Sequence, residues 1–487
     1  MLTRTSTQSL TGQLADRLAE RIRTRLLPPG ARLPSVRECA RQQGVSPYTV
    51  VAAYDQLLAQ GLVEARRQRG FYVRDAAPVQ EGRLANRTNG THGANGTDAI
   101  GMPAAIAVQM MASRVPADAS SLIRSMFHRP SDKPQPGMGV FPPDWMSSTF
   151  MPTAVRRMTS TAALQELSLQ YGEPAGDMSL RRSLSQKLVG INVPATPDQI
   201  VTTIGATHAL DIVSRTLLRA GDPVMVEEPG WALEFARLEA LGMRILPVPR
   251  RADGPDLEVM AQYCKLHSPK LFVSVSVLHN PTGYSLTPGS AHRVLKLANE
   301  HDFHIVEDDT YSHLAPEHAT RLSALDGLQR TIYVSGFAKI LAPNWRIGFL
   351  AAPPALKERL LETKLLATLT SPTLFERALS WCIDQGQLRR HSERVRIRLD
   401  GARGRAVKLA MSHGCTFASE PAGLFGWVDT GVDTDALTQR MLDQGYLLAP
   451  GSLFHARRPP STMMRINFAT SQDATFWKVF SKVRDEL

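Results

Sequence analysis

Lys339 and Arg346 are the residues of this chain whose types and spacing most directly indicate chemistry. Lys339 follows an apolar run of the β type, residues 332–334, in a turn of small residues, and Arg346 lies seven positions downstream. A lysine withdrawn from solvent is suited to condense with an aldehyde. The planar guanidinium of an arginine suits a phosphate. Pyridoxal 5′-phosphate is a ligand that has both an aldehyde and a phosphate. The alternative interpretation is a strand edge at which the two cationic side chains stay solvated.

Two more motifs follow apolar runs and contain residue types that bind phosphates or flat rings. Gly205, Ala206 and Thr207 come after the run 200–203 and open a helical stretch. Their free backbone N–H groups and the helix dipole could hold a phosphate. Trp231 follows the next run and could stack on a ring. The alternative for the first motif is a helix N-terminus that binds no ligand, and the alternative for Trp231 is a tryptophan of the core. Neither motif excludes its alternative alone.

Polar residues end two further apolar runs. Asn280, in the segment 279–283, could donate to a phenolic oxygen, although a plain turn has the same composition. The acidic run 307–309 is costly after a buried strand unless something positive faces it. Asp308 against a pyridinium nitrogen would meet that need, and Tyr311 could reach the hydroxyl of the same ring. A solvated acidic loop is the alternative.

The elements that must position these motifs alternate between strands and helices. The predicted strands are residues 200–203, 223–227, 245–248, 271–278, 304–307, 332–334 and 349–351. Such alternation predicts an open, mostly parallel α/β sheet, in which ligands bind beyond the carboxyl ends of the strands. The chain then turns helical to about residue 411, and short strands near 425–428 and 464–468 predict a small C-terminal α+β lobe.

The N-terminal segment has a different pattern and most of the excess charge. Residues 1–75 contain twelve arginines, no lysine and six acids, so they carry +6 of the chain's net +11. Apolar periodicity and capping residues predict helices over 10–26, 36–43 and 46–60, and two short β segments flank a basic turn. This order predicts a winged helix-turn-helix, with a merely solvated basic surface as the alternative.

A winged helix-turn-helix would bring several polar side chains to duplex DNA. Arg32, Ser35 and Arg37 would anchor the backbone, and Ser46, Tyr48 and Thr49 on the third helix would lie near bases or phosphates. Arg66, Arg67 and Arg69 on the wing would reach phosphates or a narrow minor groove.

The composition of the chain indicates its domain organisation and the class of protein. We predict a DNA-binding domain over residues 1–75, a flexible linker over 76–103, rich in Asn, Gly and Thr, and an effector domain over 104–487. The four cysteines have neither disulfide nor metal-site spacing, and no apolar run is long enough for a membrane span. The N-terminus does not have the pattern of a signal peptide, so we expect a cytoplasmic protein without a structural metal.

In order along most of the chain, the segments 169–176, 205–207, 279–283, 307–311, 335–339 and 464–467 resemble the fold-type I pyridoxal-phosphate aminotransferases. The resemblance implies pyridoxal 5′-phosphate as cofactor and Lys339 as its Schiff-base lysine. It assigns the remaining contacts as follows: Asp308 to the pyridinium nitrogen, Asn280 and Tyr311 to the ring hydroxyl, Arg346 and the amides of Gly205, Ala206 and Thr207 to the phosphate, Tyr171 to the phosphate of a neighbouring subunit, and Arg465 to a substrate carboxylate.

The sequence departs from this family at two positions. Many members have Ser or Thr three residues before the lysine and often Ser immediately before it, where this chain has Gly336 and Ala338. Holding of the phosphate would then depend on Ser335, Arg346 and backbone amides.

The segments 29–37 and 45–50 resemble the GntR type of winged helix. Such a head joined by a linker to an aminotransferase-like domain is similar to the MocR subfamily of transcriptional regulators. The resemblance implies a DNA-binding homodimer that senses an amino compound, or pyridoxal phosphate itself. The alternative is a catalytically active aminotransferase. The presence of the DNA-binding head argues against this alternative, because catalysis does not need such a head.

Overall fold

The structure is a computed structural model that describes residues 9–23, 27, 30–66, 70–74, 131–148, 150–160, 164–165 and 169–487. The chain divides into two compact units, Met1–Gly101 and Met102–Leu487. The linker predicted over 76–103 and the wing residues Arg67 and Arg69 lie outside the described residues. Among the helices that are described, none is both long and apolar enough to cross a membrane.

The first unit has three helices followed by an antiparallel hairpin. These elements are α1 (Leu10–Arg23), α2 (Val36–Gln43), α3 (Pro47–Ala59), β1 (Val63–Arg66) and β2 (Gly70–Val73). Gly44 ends α2 with a left-handed φ of 64°, which glycine adopts without strain. The helices and the hairpin share one core, which includes Leu14, Leu18, Val50, Tyr54 and Val63. The predicted order of three helices and a wing is confirmed.

A seven-stranded sheet forms the centre of the second unit. Its strands are β3 (Ile200–Ile204), β4 (Pro223–Glu228), β5 (Arg244–Pro249), β6 (Leu271–Ser274), β7 (His304–Asp308), β8 (Thr331–Gly336) and β9 (Ile347–Ala351). Their order is β3-β9-β8-β7-β6-β4-β5, and all pairs are parallel except those of β9. The prediction of a mostly parallel sheet is therefore confirmed.

Helices surround this sheet and lead into a smaller C-terminal lobe. They are α4 (Pro143–Met146), α5 (Phe150–Met158), α6 (Met178–Val189), α7 (Ala206–Leu217), α8 (Ala232–Ala240), α9 (Leu257–His267), α10 (Pro288–His301), α11 (Leu322–Asp326), α12 (Pro354–Thr368), α13 (Thr373–Asp384), α14 (Gln387–Ser412), α15 (Thr434–Asp443) and α16 (Ala474–Asp485). The lobe has a four-stranded antiparallel sheet of β10 (Thr416–Phe417), β11 (Phe425–Asp429), β12 (Ala449–Pro450) and β13 (Met463–Asn467).

One predicted strand, residues 271–278, is shorter in the structure, because β6 ends at Ser274. The N–H of Val275 donates to the side-chain carboxylate of Glu227 on β4 at 2.8 Å instead of to a backbone carbonyl of a neighbouring strand. Further along, Leu278 has a left-handed φ of 51°. A side-chain acceptor thus ends the ladder, and the apolar continuation is buried as a loop, which hydropathy alone does not distinguish from a strand.

Candidate functional site

Lys339 lies just after β8, and its side-chain nitrogen is held by backbone. Nζ donates a hydrogen bond to the carbonyl oxygen of Gly139 at 2.7 Å. Burial, reinforced by the positive charge of Arg465, lowers the pKa of Lys339 to about 8. A lower pKa increases the fraction of neutral amine near neutral pH, and the neutral amine is the form that attacks a carbonyl carbon.

Arg465 and Lys339 meet around Gly139. A Cβ atom at Gly139 would lie 3.6 Å from Nζ of Lys339 and 3.8 Å from Nη2 of Arg465. Arg465 donates from Nη1 to Oδ1 of Asn280 at 3.0 Å and from Nη2 to the carbonyl of Gly137 at 2.6 Å, while its buried Nε has no partner. Burial lowers its pKa to about 10, so it stays a cation that can bind a carboxylate.

Aromatic rings surround the guanidinium of Arg465. Its central carbon lies 4.3 Å from the ring centre of Phe425 and 5.5 Å from that of Trp231. Tyr311 meets the same Phe425 ring edge-on at 5.6 Å. Burial raises the pKa of Tyr311, so its phenol stays protonated and can donate a hydrogen bond. Tyr311, Trp231 and Arg465 therefore border one site, and their roles toward a cofactor or substrate stay predictions.

The three acids at the end of β7 have three different partners. Glu307 accepts from two backbone N–H groups at the start of α11, at 2.6 and 2.8 Å. Asp309 forms a buried ion pair with Arg321 at 2.6 Å. Asp308 accepts only from the hydroxyl and N–H of Thr310, and burial raises its pKa to about 6. Among the described residues neither Glu307 nor Asp308 pairs with a cation, but Glu307 is satisfied by backbone N–H groups, whereas a cationic ring nitrogen would stabilise the charge of Asp308.

The start of α7 forms a cradle lined by glycines. Gly205, at a φ of 79°, precedes the helix, and a Cβ there would lie 2.6 Å from Nη2 of Arg346. Arg346 donates from that nitrogen to the carbonyl of Ile204 at 3.1 Å. A Cβ at Gly336 would lie 3.4 Å from the backbone nitrogen of Ala206. Close backbone approach, an arginine and a helix N-terminus fit a phosphate.

The remaining predicted cofactor residues are placed differently. Ser335 donates from its hydroxyl to the carbonyl of Asp309 at 2.9 Å. Because neighbouring side chains of a strand face opposite ways, that hydroxyl lies on the other face of β8 from Gly336. Thr207 is exposed on the first turn of α7, and Tyr171 is 82% exposed. The structure therefore brings neither Ser335 nor Tyr171 into the cradle of the same chain.

Lys364 and Glu376 are buried ionisable residues that are not among the residues predicted from the sequence. Nζ of Lys364 donates to the carbonyl of Pro174 at 2.6 Å, and Glu376 accepts from the N–H of Asp177 at 2.7 Å. Both therefore hold the backbone segment that follows Tyr171. Burial lowers the pKa of Lys364 to about 8 and raises that of Glu376.

A sequence signal for the burial of Lys364 does exist. It follows Leu356 and Leu360 at intervals of four residues, and both leucines lie in the core. Helical periodicity would therefore have placed Lys364 on the inner face of α12.

In the N-terminal unit, two serines predicted to contact DNA also cap helices. Ser35 accepts from the N–H of Glu38 at 3.3 Å. Ser46 accepts from the N–H of Thr49 at 3.1 Å, and the two hydroxyl oxygens lie 2.8 Å apart. These contacts start α2 and α3 and fix the first turn of each helix.

The other described candidates of this unit lie at the surface. Arg37 and Tyr48 are exposed on α2 and α3. Arg32 reaches the hairpin, since a Cβ at Gly70 would lie 3.5 Å from its Nε. Arg66 pairs with Glu64 at 2.8 Å and lies over the ring of Tyr72 at 4.5 Å. DNA contact stays a prediction for all of them.

Family models match both units. Residues 138–482 match aminotransferase class I and II, and residues 10–73 match the bacterial regulatory proteins of the gntR family. The chain is 27% identical over 467 residues to the uncharacterized HTH-type transcriptional regulator YdcR of Escherichia coli (strain K12), with 94% of each chain covered. It is 28% identical over 390 residues to the probable rhizopine catabolism regulatory protein MocR of Rhizobium meliloti, which covers 79% of this chain and 73% of that protein.

Solved structures share the fold of the larger unit. The kynurenine aminotransferase of Pyrococcus horikoshii, solved in complex with PMP, aligns with a TM-score of 0.68 and 25% identity over 77% of this chain and 96% of its own. The chain therefore belongs to the aminotransferase class I and II family, and its gntR-family head gives it the domain pairing of the MocR subfamily of GntR-type transcriptional regulators.

Proposed function

We propose that this protein is a DNA-binding transcription regulator that senses a small molecule through pyridoxal 5′-phosphate bound in its aminotransferase-like domain. The observation that carries the proposal is the presence, in one chain, of a gntR-family head and a site that contains Lys339, Asp308 and Arg465. Catalysis does not need such a head. Relatives that span nearly the whole chain are also named as regulators.

The residues present fit this cofactor. Pyridoxal phosphate supplies an aldehyde that condenses with amines and a ring that withdraws electrons. Lys339 offers the amine, and Asp308 would keep a proton on the ring nitrogen. Asn280 accepts from Arg465 through Oδ1, which leaves its amide N–H groups to donate to the ring hydroxyl, beside Tyr311. The glycine cradle at α7 and Arg346 would hold the phosphate.

The effector is either an amino compound or pyridoxal phosphate itself. An amino compound would compete with Lys339 for the aldehyde, and the unpartnered Nε of Arg465 would bind its carboxylate. Such a ligand changes the affinity of the protein for DNA only if it binds two states of the protein with different affinity.

The proposal extends to assembly and location. We infer a homodimer that acts in the cytoplasm on duplex DNA with two half-sites. Support for the dimer comes from large exposed side chains in the segment that carries Tyr171 and at the end of α12, namely Leu169, Tyr171, Leu366 and Leu369. Tyr171, exposed on its own subunit, would contact the phosphate bound by the partner.

A visible spectrum tests the cofactor assignment. The purified full-length protein should carry the absorption band of pyridoxal phosphate joined to lysine, and Lys339→Ala should abolish it while binding of the free cofactor remains measurable. Lys296→Ala is the matched control, because that lysine lies on the surface with 65% of its side chain exposed. An unchanged band in Lys339→Ala would show that another lysine carries the cofactor.

An active aminotransferase is the second candidate, because the residues needed for that chemistry are present together. Incubation with a panel of amino acids and keto acids separates the two functions. A sensor should convert at most one equivalent per site, whereas sustained turnover would favour the enzyme.

A further inference from the structure

The outward face of α3 exposes two large apolar side chains. Tyr48 is 82% exposed and Val51 is 43% exposed, and within the described part of the head they are the only large hydrophobic residues so placed. They are three positions apart and therefore neighbours on one face of the helix. Apolar side chains grouped at a surface indicate a contact with another molecule.

Folding of the head does not require this exposure. The opposite face of α3 supplies Val50, Ala53, Tyr54 and Leu57 to the core, each fully buried. The hydroxyl of Tyr54 also donates to the carbonyl of Pro34 at 2.9 Å, which fixes the helix against the chain before α2. Tyr48 and Val51 are therefore available for a partner, and the packing of the helix presents them in a fixed orientation.

Positive charge lies around α3 but not on it. The helix contains no arginine or lysine. Apart from its two tyrosines, its one ionisable residue is Asp55, whose side chain is exposed. Arginines lie outside it, and Arg32, Arg37 and Arg41 are all exposed. These flanking arginines would attract the phosphate backbones of the DNA. The face of α3 would then meet the base edges in the groove between the two backbones.

Base edges in the major groove differ in what they offer such a face. Guanine presents two acceptors that are read mainly by arginine or lysine, and α3 has neither. Thymine presents a methyl group, which is read by apolar contact. The carboxylate of Asp55 can only accept hydrogen bonds, so it suits the amino group of cytosine and repels the acceptors of guanine.

We propose that Tyr48 and Val51 select the operator by packing on thymine methyl groups in each half-site, with Asp55 excluding guanine next to them. This inference rests on the proposed function, because it assigns a sequence preference to the DNA that the head binds. The face of α3 supplies the specificity, and the flanking arginines supply affinity that does not depend on sequence.

Replacing thymine with deoxyuridine in selected DNA tests this directly, because it removes only the methyl group. The full-length protein with its cofactor is first used to select duplexes from a randomised pool, and each thymine is then replaced in turn. Wild type should bind about fourfold more weakly for each contacted methyl that is lost. Val51→Ala should lose that discrimination at one thymine position, and Val51→Ile should keep it.

Arg37→Ala is the control for backbone contact. It should weaken binding to thymine and deoxyuridine duplexes equally and flatten the salt dependence, whereas Val51→Ala should leave the salt dependence unchanged. Equal affinity for every deoxyuridine duplex, selected sites with guanine and not cytosine at the base that Asp55 contacts, or selection without any base preference would each overturn the inference. Retention of no duplex at all would instead overturn the proposed function.

Discussion

At the scale of single residues, the site depends on the protonation of Lys339. Its ammonium form is disfavoured by burial and by Arg465 and Arg346, and only Asp308 opposes them. The pKa of about 8 leaves a substantial fraction of neutral amine near neutral pH, which an ordinary lysine would not have. Arg465 therefore has a second effect besides binding a carboxylate, because its charge helps to keep the neighbouring amine reactive.

The pH dependence of cofactor uptake follows from this pKa. The neutral fraction of Lys339, which is the form that attacks, grows as the pH rises through 8. The uptake rate should therefore rise with pH and reach half its maximum near the pKa of about 8. Rapid-mixing absorbance of the cofactor-free protein with pyridoxal phosphate measures it. Asp308→Asn removes the one opposing negative charge and should move the midpoint to lower pH. A midpoint near the ordinary lysine value of about 10.4 would contradict the assignment.

At the scale of elements, α12 and α13 position the segment that carries Tyr171. Lys364 on α12 and Glu376 on α13 bind the backbone at Pro174 and Asp177 from inside the domain. A second constraint is steric, since a Cβ at Gly172 would lie 2.4 Å from the hydroxyl oxygen of Thr373. The helices thus fix the base of the segment, and Tyr171 projects from it into solvent.

Replacing Lys364 with methionine should loosen this segment. The change leaves the carbonyl of Pro174 without its donor, which costs about 1–3 kcal/mol of the free energy of unfolding. Hydrogen exchange should become faster at residues 172–177, and chemical denaturation should report the loss of stability. Lys357→Met on the same helix is the control, because the nitrogen of Lys357 pairs only with Glu358. Equal exchange in the two variants would show that Lys364 does not hold the segment.

The sequence predicted the elements well because their signals are local. Ser46 and Pro47 mark the start of α3, and the apolar runs mark the strands. It could not predict the separate partners of Glu307 and Asp309, since Leu322, Ser323 and Arg321 approach from a later helix and turn. The same holds for Lys364, whose partner carbonyl is 190 residues away. Long-range polar contacts leave no periodic pattern in the sequence.

At the scale of the whole molecule, the chain joins two units of different character. The first 75 residues carry +6 of the net charge of +11, and they contain no lysine. The larger unit contains Lys339 and the site around it. In such a regulator, ligand binding in the larger unit must change the free energy of DNA binding by the head. This coupling is reciprocal, so DNA binding must change the free energy of ligand binding by the same amount.

Reciprocity gives a test that uses both units at once. If an amino compound changes the affinity for a selected DNA duplex by some factor, that duplex must change the affinity for the amino compound by the same factor. The first factor is measured by DNA titration at saturating ligand, and the second by the visible spectrum at saturating DNA. Factors of about 5–150, equal in both directions, are expected of an allosteric regulator.

Lys339→Ala separates this coupling from direct effects of the amine on DNA. Because the variant cannot join the cofactor to the chain, an amine that acts by competing with Lys339 should leave its DNA affinity unchanged. The variant should still bind DNA with the salt dependence of wild type, since the arginines of the head are intact. If amines shift the spectrum of wild type while its DNA affinity stays constant, the site and the head are uncoupled, and the effector must be pyridoxal phosphate itself or the protein must be an enzyme.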